Sequence, residues 1–342
     1  MPLRIRGLRS SEDSGAPGDG EIVGTDLTLL RDQCERTLER TDLPALGRRE
    51  EGKVRDNYVS DKRRFIIVTD RLSCFDVVVT TLPFKGQVLN EMACFWFEKT
   101  RDLAANHLID TPDPNVSLVR ECRPLPVEFV HRAHLTGSSP TSIWTAYERG
   151  ERVYCGHSLP EGLHKHEALP EPLLTPTTKA PIGEHDQLTS REALIENGTI
   201  EADLYDEAAA LTGRLFAEGR RWAEGRGLVL VDTKYELGLD EEDRLIVIDE
   251  IHTPDSSRYW VRDGFERALS RGQDPEALDK EYVRGWLIER GYSGRGSPPE
   301  IPIDVRCEAA RRYIEAYERV TGRAFIPHPE PVLPRIRRNL EL

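Results

Sequence analysis

A chain of 342 residues, 38% hydrophobic and 31% charged, is long enough to bury one large core or two modest ones without a metal or disulfide to staple it. It has no apolar run near the roughly 20 residues of a membrane-spanning helix and no apolar signal-like segment at its start, which points to a cytoplasmic protein without a membrane partner. A net charge of -13 argues against nucleic acid as a partner, so any anionic ligand has to be met by local cationic clusters.

Residues 1–24 are rich in Gly, Ser, Asp and Arg and predict a mobile leader. Residues 46–134 suit a sheet-rich lobe: strands over 64–69 and 75–80, helical spacing over 88–100, and a strand over 126–134. Gly, Pro and His with weak periodicity over 151–186 predict a long ordered loop and no regular element. An acidic first turn, an Ala-rich interior and the stop at Gly225 and Gly227 predict a helix over 201–224. Strands over 228–236 and 244–251 follow, joined by an acidic turn, and helices separated by Gly and Pro occupy the chain from Pro275. The six cysteines have no CxxC or zinc spacing and read as reduced thiols, with Cys74 and Cys94 as small buried hydrophobes.

Three places gather chemistry. The first is Gly52-Lys53-Val54-Arg55, where a glycine and alternate cations suit a cover over a nucleotide triphosphate, although short basic runs are more often solvated surface. The second is the strand through Asp232, Lys234 and Glu236, whose alternation puts all three on one face. A wetted edge strand would look the same, but Asp249 and Glu250 end the next strand and bring more carboxylates to the hairpin. Clustered carboxylates repel unless a cation joins them, and magnesium bound with a nucleotide takes one or two carboxylates plus phosphate and water oxygens. The third is a pair of turns, Arg132 to Ser139 and Thr253 to Trp260, each combining hydroxyls, backbone donors and a guanidinium in a way that suits a phosphate monoester. Either alone also reads as a surface turn or an N-cap, such as one before a helix near Ile143.

In order and spacing, GKVRDNY at Gly52, TDRLSCFD ending at Asp76, LPVEFVHRAHLTGS ending at Ser138, TPTTKAPIGEHD ending at Asp186, LVDTKYELG ending at Gly238 and DEIHTPDSSRYW ending at Trp260 resemble the SAICAR synthetase family, in its longer form, over residues 46–292. The resemblance implies a two-lobed α+β fold with a kinase-like ATP-binding N-terminal lobe and an ATP cleft between lobes, divided as leader 1–24, ATP-binding lobe 25–125, and an α+β lobe 126–342 with the substrate and metal site. It implies a ligase of de novo purine biosynthesis that uses ATP and Mg²⁺ to join L-aspartate to the carboxylate of the imidazole ribonucleotide CAIR through an acyl phosphate. Gly52, Lys53 and Arg55 then lie over the ATP phosphates, Leu125 meets adenine through its backbone, and Glu128 and Lys179 lie near the ribose and cleft. Lys234, with Asp232 beside it, reaches the phosphates and the reacting carboxylate, while Glu236 and Asp249 hold magnesium. Arg132, Ser138 and Arg258 hold the 5′-phosphate region of CAIR, and Asp76, Asp255, Ser257 and Arg284 fall on the substrate side.

If Glu236 and Asp249 share one ion in a bulge-free hairpin, paired residue numbers must sum to an odd value, as with Asp240 opposite Asp243 and Lys234 opposite Asp249. Leu237, Phe84 and His134 depart from the family pattern, which has Phe, often Gly, and in places Arg at these positions. The sequence defines neither the L-aspartate site nor an oligomeric state, a monomer being compatible. A kinase-like phosphotransferase that stops at the phosphorylated small molecule is the alternative reading. A catalytically dead nucleotide-binding scaffold is a third, against which stand the intact Lys234, Glu236, Asp249 and Arg258.

Overall fold

The computed structural model describes residues 26–179 and 186–342, so the leader expected over 1–24 lies outside the described residues. In chain order, the first elements are α1 (Leu27–Cys34), β1 (Arg48–Glu51), β2 (Arg55–Ser60), β3 (Arg63–Val68), β4 (Arg71–Cys74), β5 (Val77–Thr81), α2 (Lys85–Lys99), β6 (Leu108–Asp113), β7 (Val116–Arg120) and β8 (Arg123–His134). Next come α3 (Ile143–Glu148), β9 (Val153–Tyr154), β10 (His157–Ser158), β11 (Ala168–Leu174), β12 (Thr177–Thr178), α4 (Arg191–Glu196) and α5 (Ala202–Glu224). The last are β13 (Leu228–Leu239), β14 (Leu245–Ile248), β15 (Ser257–Val261), α6 (Phe265–Ser270), α7 (Glu281–Ile288), α8 (Ile303–Thr321) and α9 (Val332–Asn339). The class is α+β, with antiparallel sheets, as expected. No helix among the described residues is long and apolar enough to cross a membrane.

Residues 26–98, 107–121 and 279–342 form one compact unit, built on an antiparallel sheet ordered β1-β2-β3-β7-β6. Alternation in β2 turns Asp56 and Tyr58 inward. Tyr58 joins Leu38, Leu46, Ile67 and Val116 in the core, while the Asp56 carboxylate accepts from the Thr41 backbone at 2.6 Å and its hydroxyl at 2.9 Å. Phe75 and Asp76, expected in a strand, instead make the turn between β4 and β5 at φ 55° and 63°. Phe84 takes φ 61°, a conformation glycine enters without strain, and its ring packs edge-on at 5.9 Å from Phe325.

The stretch 126–342, expected as one lobe, is divided: 279–342 belongs to this first unit. The reason is packing. Helix α8 lies on α1 and α9 on β6, where the buried Arg335 guanidinium grips Asp113 with two bonds of 3.0 and 3.1 Å.

Residues 99–106 and 122–278 form the second unit, whose sheet runs β11-β8-β13-β14, with β12 also on β8 and β15 also on β13. The region expected as loop therefore contains strands. β11 (ALPEPLL) pairs with β8 despite two prolines because it is the sheet edge, and its register shifts between Ala168 and Leu173. β14 stops at Ile248, short of the expected end at 251.

Arg335→Ala would strand the buried Asp113 carboxylate and should cost about 3–5 kcal/mol in urea unfolding, whereas Arg338→Ala, which loses only an exposed pair with Glu330, should cost about 1 kcal/mol or less. Equal losses in the two variants would contradict the anchoring role given to Arg335.

Candidate active site

The register of β8 against β13 sets Asp232 opposite Arg132, Lys234 opposite Val130 and Glu236 opposite Glu128. The residues between them turn the other way and meet α5: Phe129 packs on Tyr205, and His131 Nε2 lies 2.9 Å from the Thr212 hydroxyl. Charge is thereby confined to the face that α5 does not cover.

Carboxylates directly opposite in a sheet repel. Lys234 relieves this for Glu128 and Glu236, its Nζ donating to Glu128 Oε1 at 2.7 Å and Glu236 Oε1 at 2.6 Å. The second oxygen of Glu128 accepts from Thr177 at 3.0 Å, and that of Glu236 accepts from Lys179. Burial by itself would raise the Glu236 pKa, but Lys234 and Lys179 hold the carboxyl well below its usual range. Burial likewise works against the Lys234 charge and is outweighed by Glu236, Glu128 and Asp249, which hold the ammonium well above its ordinary value.

One pair along, the Asp232 carboxylate accepts from Arg132 at 3.3 Å and from Arg258 on β15. Arg132 Nε also donates to the Thr175 hydroxyl at 2.9 Å. Two guanidiniums around one carboxylate leave one net positive charge, suited to an anion. Ser138 is exposed just after Gly137, which sits at φ 114°, and Ser142 rather than Ser138 caps α3. Asp255 is half-buried in the turn before β15, its backbone N–H donating to Thr253 Oγ1 at 3.3 Å. Ser257 is buried, and its hydroxyl donates into the sheet, to Thr233 at 2.7 Å. Leu125 is buried in the first half of β8, next to Pro126, whose carbonyl accepts from the Lys179 backbone at 3.1 Å.

The β13–β14 pairing sum is even, with Glu236 opposite Ile248 and Leu239 opposite Leu245, so the odd register expected is corrected. Continued regularly, that register would send Asp249 to the face opposite Glu236. The strand instead stops and Asp249 turns to φ 65°, where its charge acts on Lys234. His134, buried against Trp260 at 5.1 Å and Phe265 at 5.9 Å, has its pKa pushed down to about 4 by desolvation and is a neutral packing ring. Leu237 is a core residue.

In the first unit, Gly52 to Arg55 close the β1–β2 hairpin, Gly52 N donating to the Arg55 carbonyl at 2.8 Å. Arg71 props this loop, donating to the carbonyls of Lys53 and Gly52 at 2.9 Å each. Lys53 pairs with Asp76, so Gly52, Lys53, Arg55 and Asp76 come together. Arg284 on α7 pairs with Glu281 and lies 5.7 Å from the ring of Phe75, the neighbour of Asp76.

Sequence reasoning missed Arg71, Thr175 and Thr177. For the threonines a signal existed: Thr175, Thr177 and Lys179 alternate and touch Arg132, Glu128 and Glu236 in turn, but the surrounding prolines disguised a strand.

The profile of the SAICAR synthetase family matches residues 48–299. The chain belongs to the SAICAR synthetase family. A putative phosphoribosylaminoimidazole-succinocarboxamide synthase 2 from Mesorhizobium japonicum is 45% identical over 308 residues, covering 89% of this chain and 98% of that one. The SAICAR synthase of Saccharomyces cerevisiae, solved in complex with SAICAR, superposes with a TM-score of 0.73 at 29% identity over 84% of this chain and 99% of that one. A type-2 SAICAR synthetase solved with ADP shares the fold, with a TM-score of 0.60 at 20% identity, over 82% of this chain and 100% of that one.

Lys234→Met leaves two opposed carboxylates without their cation, and should cost roughly 2–3 kcal/mol in urea at neutral pH, the Lys234 side chain being 31% exposed and so partly screened. Adding Glu128→Gln should recover part of that loss, and an unchanged midpoint in the single variant would contradict the arrangement. Because the folded pKa of Glu236 is depressed, its stabilisation is present above its unfolded pKa of about 4.3 and is lost as pH falls through the folded pKa. The stability gap between the natural chain and Glu236→Gln should therefore narrow steadily below about pH 4, as followed by denaturant melts.

Proposed function

We propose that this chain joins L-aspartate to the carboxylate of CAIR, using ATP, around Lys234. As a member of its family it is an ATP-dependent ligase of purine biosynthesis, and relatives bearing the synthase's name along most of the chain do not favour the phosphotransferase alternative. The observation that carries the residue-level reading is one ammonium suspended between Glu128 and Glu236 beside the cluster of Arg132, Asp232 and Arg258. Relatives solved with ADP and with SAICAR support a nucleotide and the amide product as ligands.

A carboxylate is a poor electrophile. One of its oxygens attacks the γ-phosphorus and ADP departs; the aspartate amine then attacks the acyl carbon, and phosphate leaves with that carboxylate oxygen as the nitrogen gives up a proton. No side-chain nucleophile is needed, so the protein contributes positioning and charge neutralisation. Lys234 serves both the transferred phosphoryl and the CAIR carboxylate. Lys53 and Arg55, on the hairpin begun by Gly52, cover the phosphates; Leu125 meets adenine through its backbone; Glu128 and Lys179 lie by the ribose and cleft. Arg132, Ser138 and Arg258 take the 5′-phosphate of CAIR, with Asp232 aligning the two guanidiniums and Asp76, Asp255, Ser257 and Arg284 on the substrate side.

Glu236 and Asp249 fit a magnesium ion as hard oxygen donors. Among the described residues no three His, Cys, Asp or Glu side chains are grouped to hold an ion, so the remaining ligands would come from phosphate and water, with Lys179 releasing Glu236. Bound there, magnesium would neutralise charge on the phosphate oxygens. The substrates are small molecules, and the cytoplasm is the proposed place of work.

ADP release should depend on added L-aspartate and match amide formation one for one. Arg258→Ala should raise KM for CAIR about tenfold to a hundredfold, as loss of a charge-assisted contact of roughly 1.5–3 kcal/mol implies, and leave KM for ATP within about twofold. A raised KM for ATP with CAIR unaffected would sink the assignment of Arg258.

A further inference from the structure

Behind the charged face lies a buried assembly with no part in the chemistry above. Tyr235 stands in β13 between Lys234 and Glu236 but points the opposite way, fully buried, and its hydroxyl is hydrogen-bonded to His252 Nε2. His252 is itself fully buried, and its backbone carbonyl accepts from the Tyr259 hydroxyl at 2.8 Å. From the helix side, α5 places Gly219 against the same ring: a Cβ there would lie 2.4 Å from His252 Cε1 and 2.8 Å from Nδ1. Glycine is a poorer helix former than alanine, so its place inside α5, toward the C-terminal end, is explained by the close approach of this ring.

The segment so gripped is strained. Asp249 and His252 both adopt left-handed backbone, at φ 65° and 53°. Non-glycine residues hold such strained conformations only where their surroundings fix them. Farther on, the Thr253 hydroxyl donates to Glu250 at 2.6 Å, and the Lys234 backbone N–H donates to the Ser256 carbonyl at 2.9 Å. Tyr235 and Tyr259, on neighbouring elements of one sheet, thus hold His252 from two sides, and the turn 249–252 is fixed to the strand that carries Lys234 and Glu236.

We propose that His252, with Tyr235, Tyr259 and Gly219, is a latch that positions Asp249 for the divalent cation, making Tyr235 and His252 positioning residues for the reaction. This rests on the reading of Asp249 as a magnesium ligand. The latch substitutes for strand alternation: the even register would turn Asp249 away, and the strained turn that returns it is stable only while the ring stays seated.

The test uses the full chain with ADP and Mn²⁺, a paramagnetic stand-in for Mg²⁺, with cation affinity read by electron paramagnetic resonance and amide hydrogen exchange followed over 249–253. Tyr235→Phe, which removes a single oxygen, and His252→Asn should each weaken Mn²⁺ about tenfold and speed exchange in that segment, leaving KM for CAIR within about twofold. Gly219→Ala should do the same from the helix, although alanine is the better helix former. Asp249→Asn is run beside them. If it weakens Mn²⁺ while folded Tyr235→Phe does not, the latch is overturned. If Asp249→Asn leaves Mn²⁺ unaffected, the metal reading fails on its own, and unaltered exchange over 249–253 in Tyr235→Phe then overturns the latch as a device for holding the turn. Should His252→Asn not fold, Tyr235→Phe and Gly219→Ala decide the question.

Discussion

Antiparallel pairing of β8 with β13 sets Glu128 directly across from Glu236, and that sheet face is stable only with a cation between them. Lys234 supplies it, from the same strand and two residues away, so the strand's own alternation delivers both the repulsion and its relief. The neighbouring pair repeats the idea with signs reversed, Asp232 drawing Arg132 and Arg258 together from the strands on either side. A row of alternating charge results, with the guanidiniums and Asp232 at one end, the Lys234 ammonium in the middle and the Glu128 and Glu236 carboxylates at the other.

The buried face makes the charged one possible. Packing of α5 over Phe129, His131 and Tyr235 removes one side of the sheet from water, so a slip of one residue would bury Lys234 and Glu236 and expose aromatic rings. Register is therefore specified from behind. The first unit uses the same economy at its hairpin: Arg71, tied to Asp56, holds the carbonyls of Gly52 and Lys53 while the Lys53 ammonium turns to Asp76.

Much of this was legible because it depends on period-two alternation and on motif order. Asp232, Lys234 and Glu236 do share a face, α5 spans nearly its expected range, and the α+β class is the one that the family resemblance implies. The failures have local causes. The hairpin register was misjudged because Asp249 leaves the strand through a left-handed backbone that no side-chain pattern announces. Strand β11 was hidden by prolines that only an edge tolerates, and the helices from 281 onward join the first unit through contacts such as Arg335 with Asp113, some 222 residues apart in sequence. Tertiary pairings over such distances have no local signature.

If Lys234 and its neighbours activate a carboxylate by phosphorylation, the fate of one oxygen reports it. CAIR labelled with ¹⁸O in its carboxylate, turned over with unlabelled ATP and L-aspartate, should deliver one labelled oxygen to inorganic phosphate for each amide formed, read by mass spectrometry or by the isotope shift in ³¹P resonance. Amide formation with phosphate free of the label would contradict an acyl phosphate, and with it the role given to Lys234.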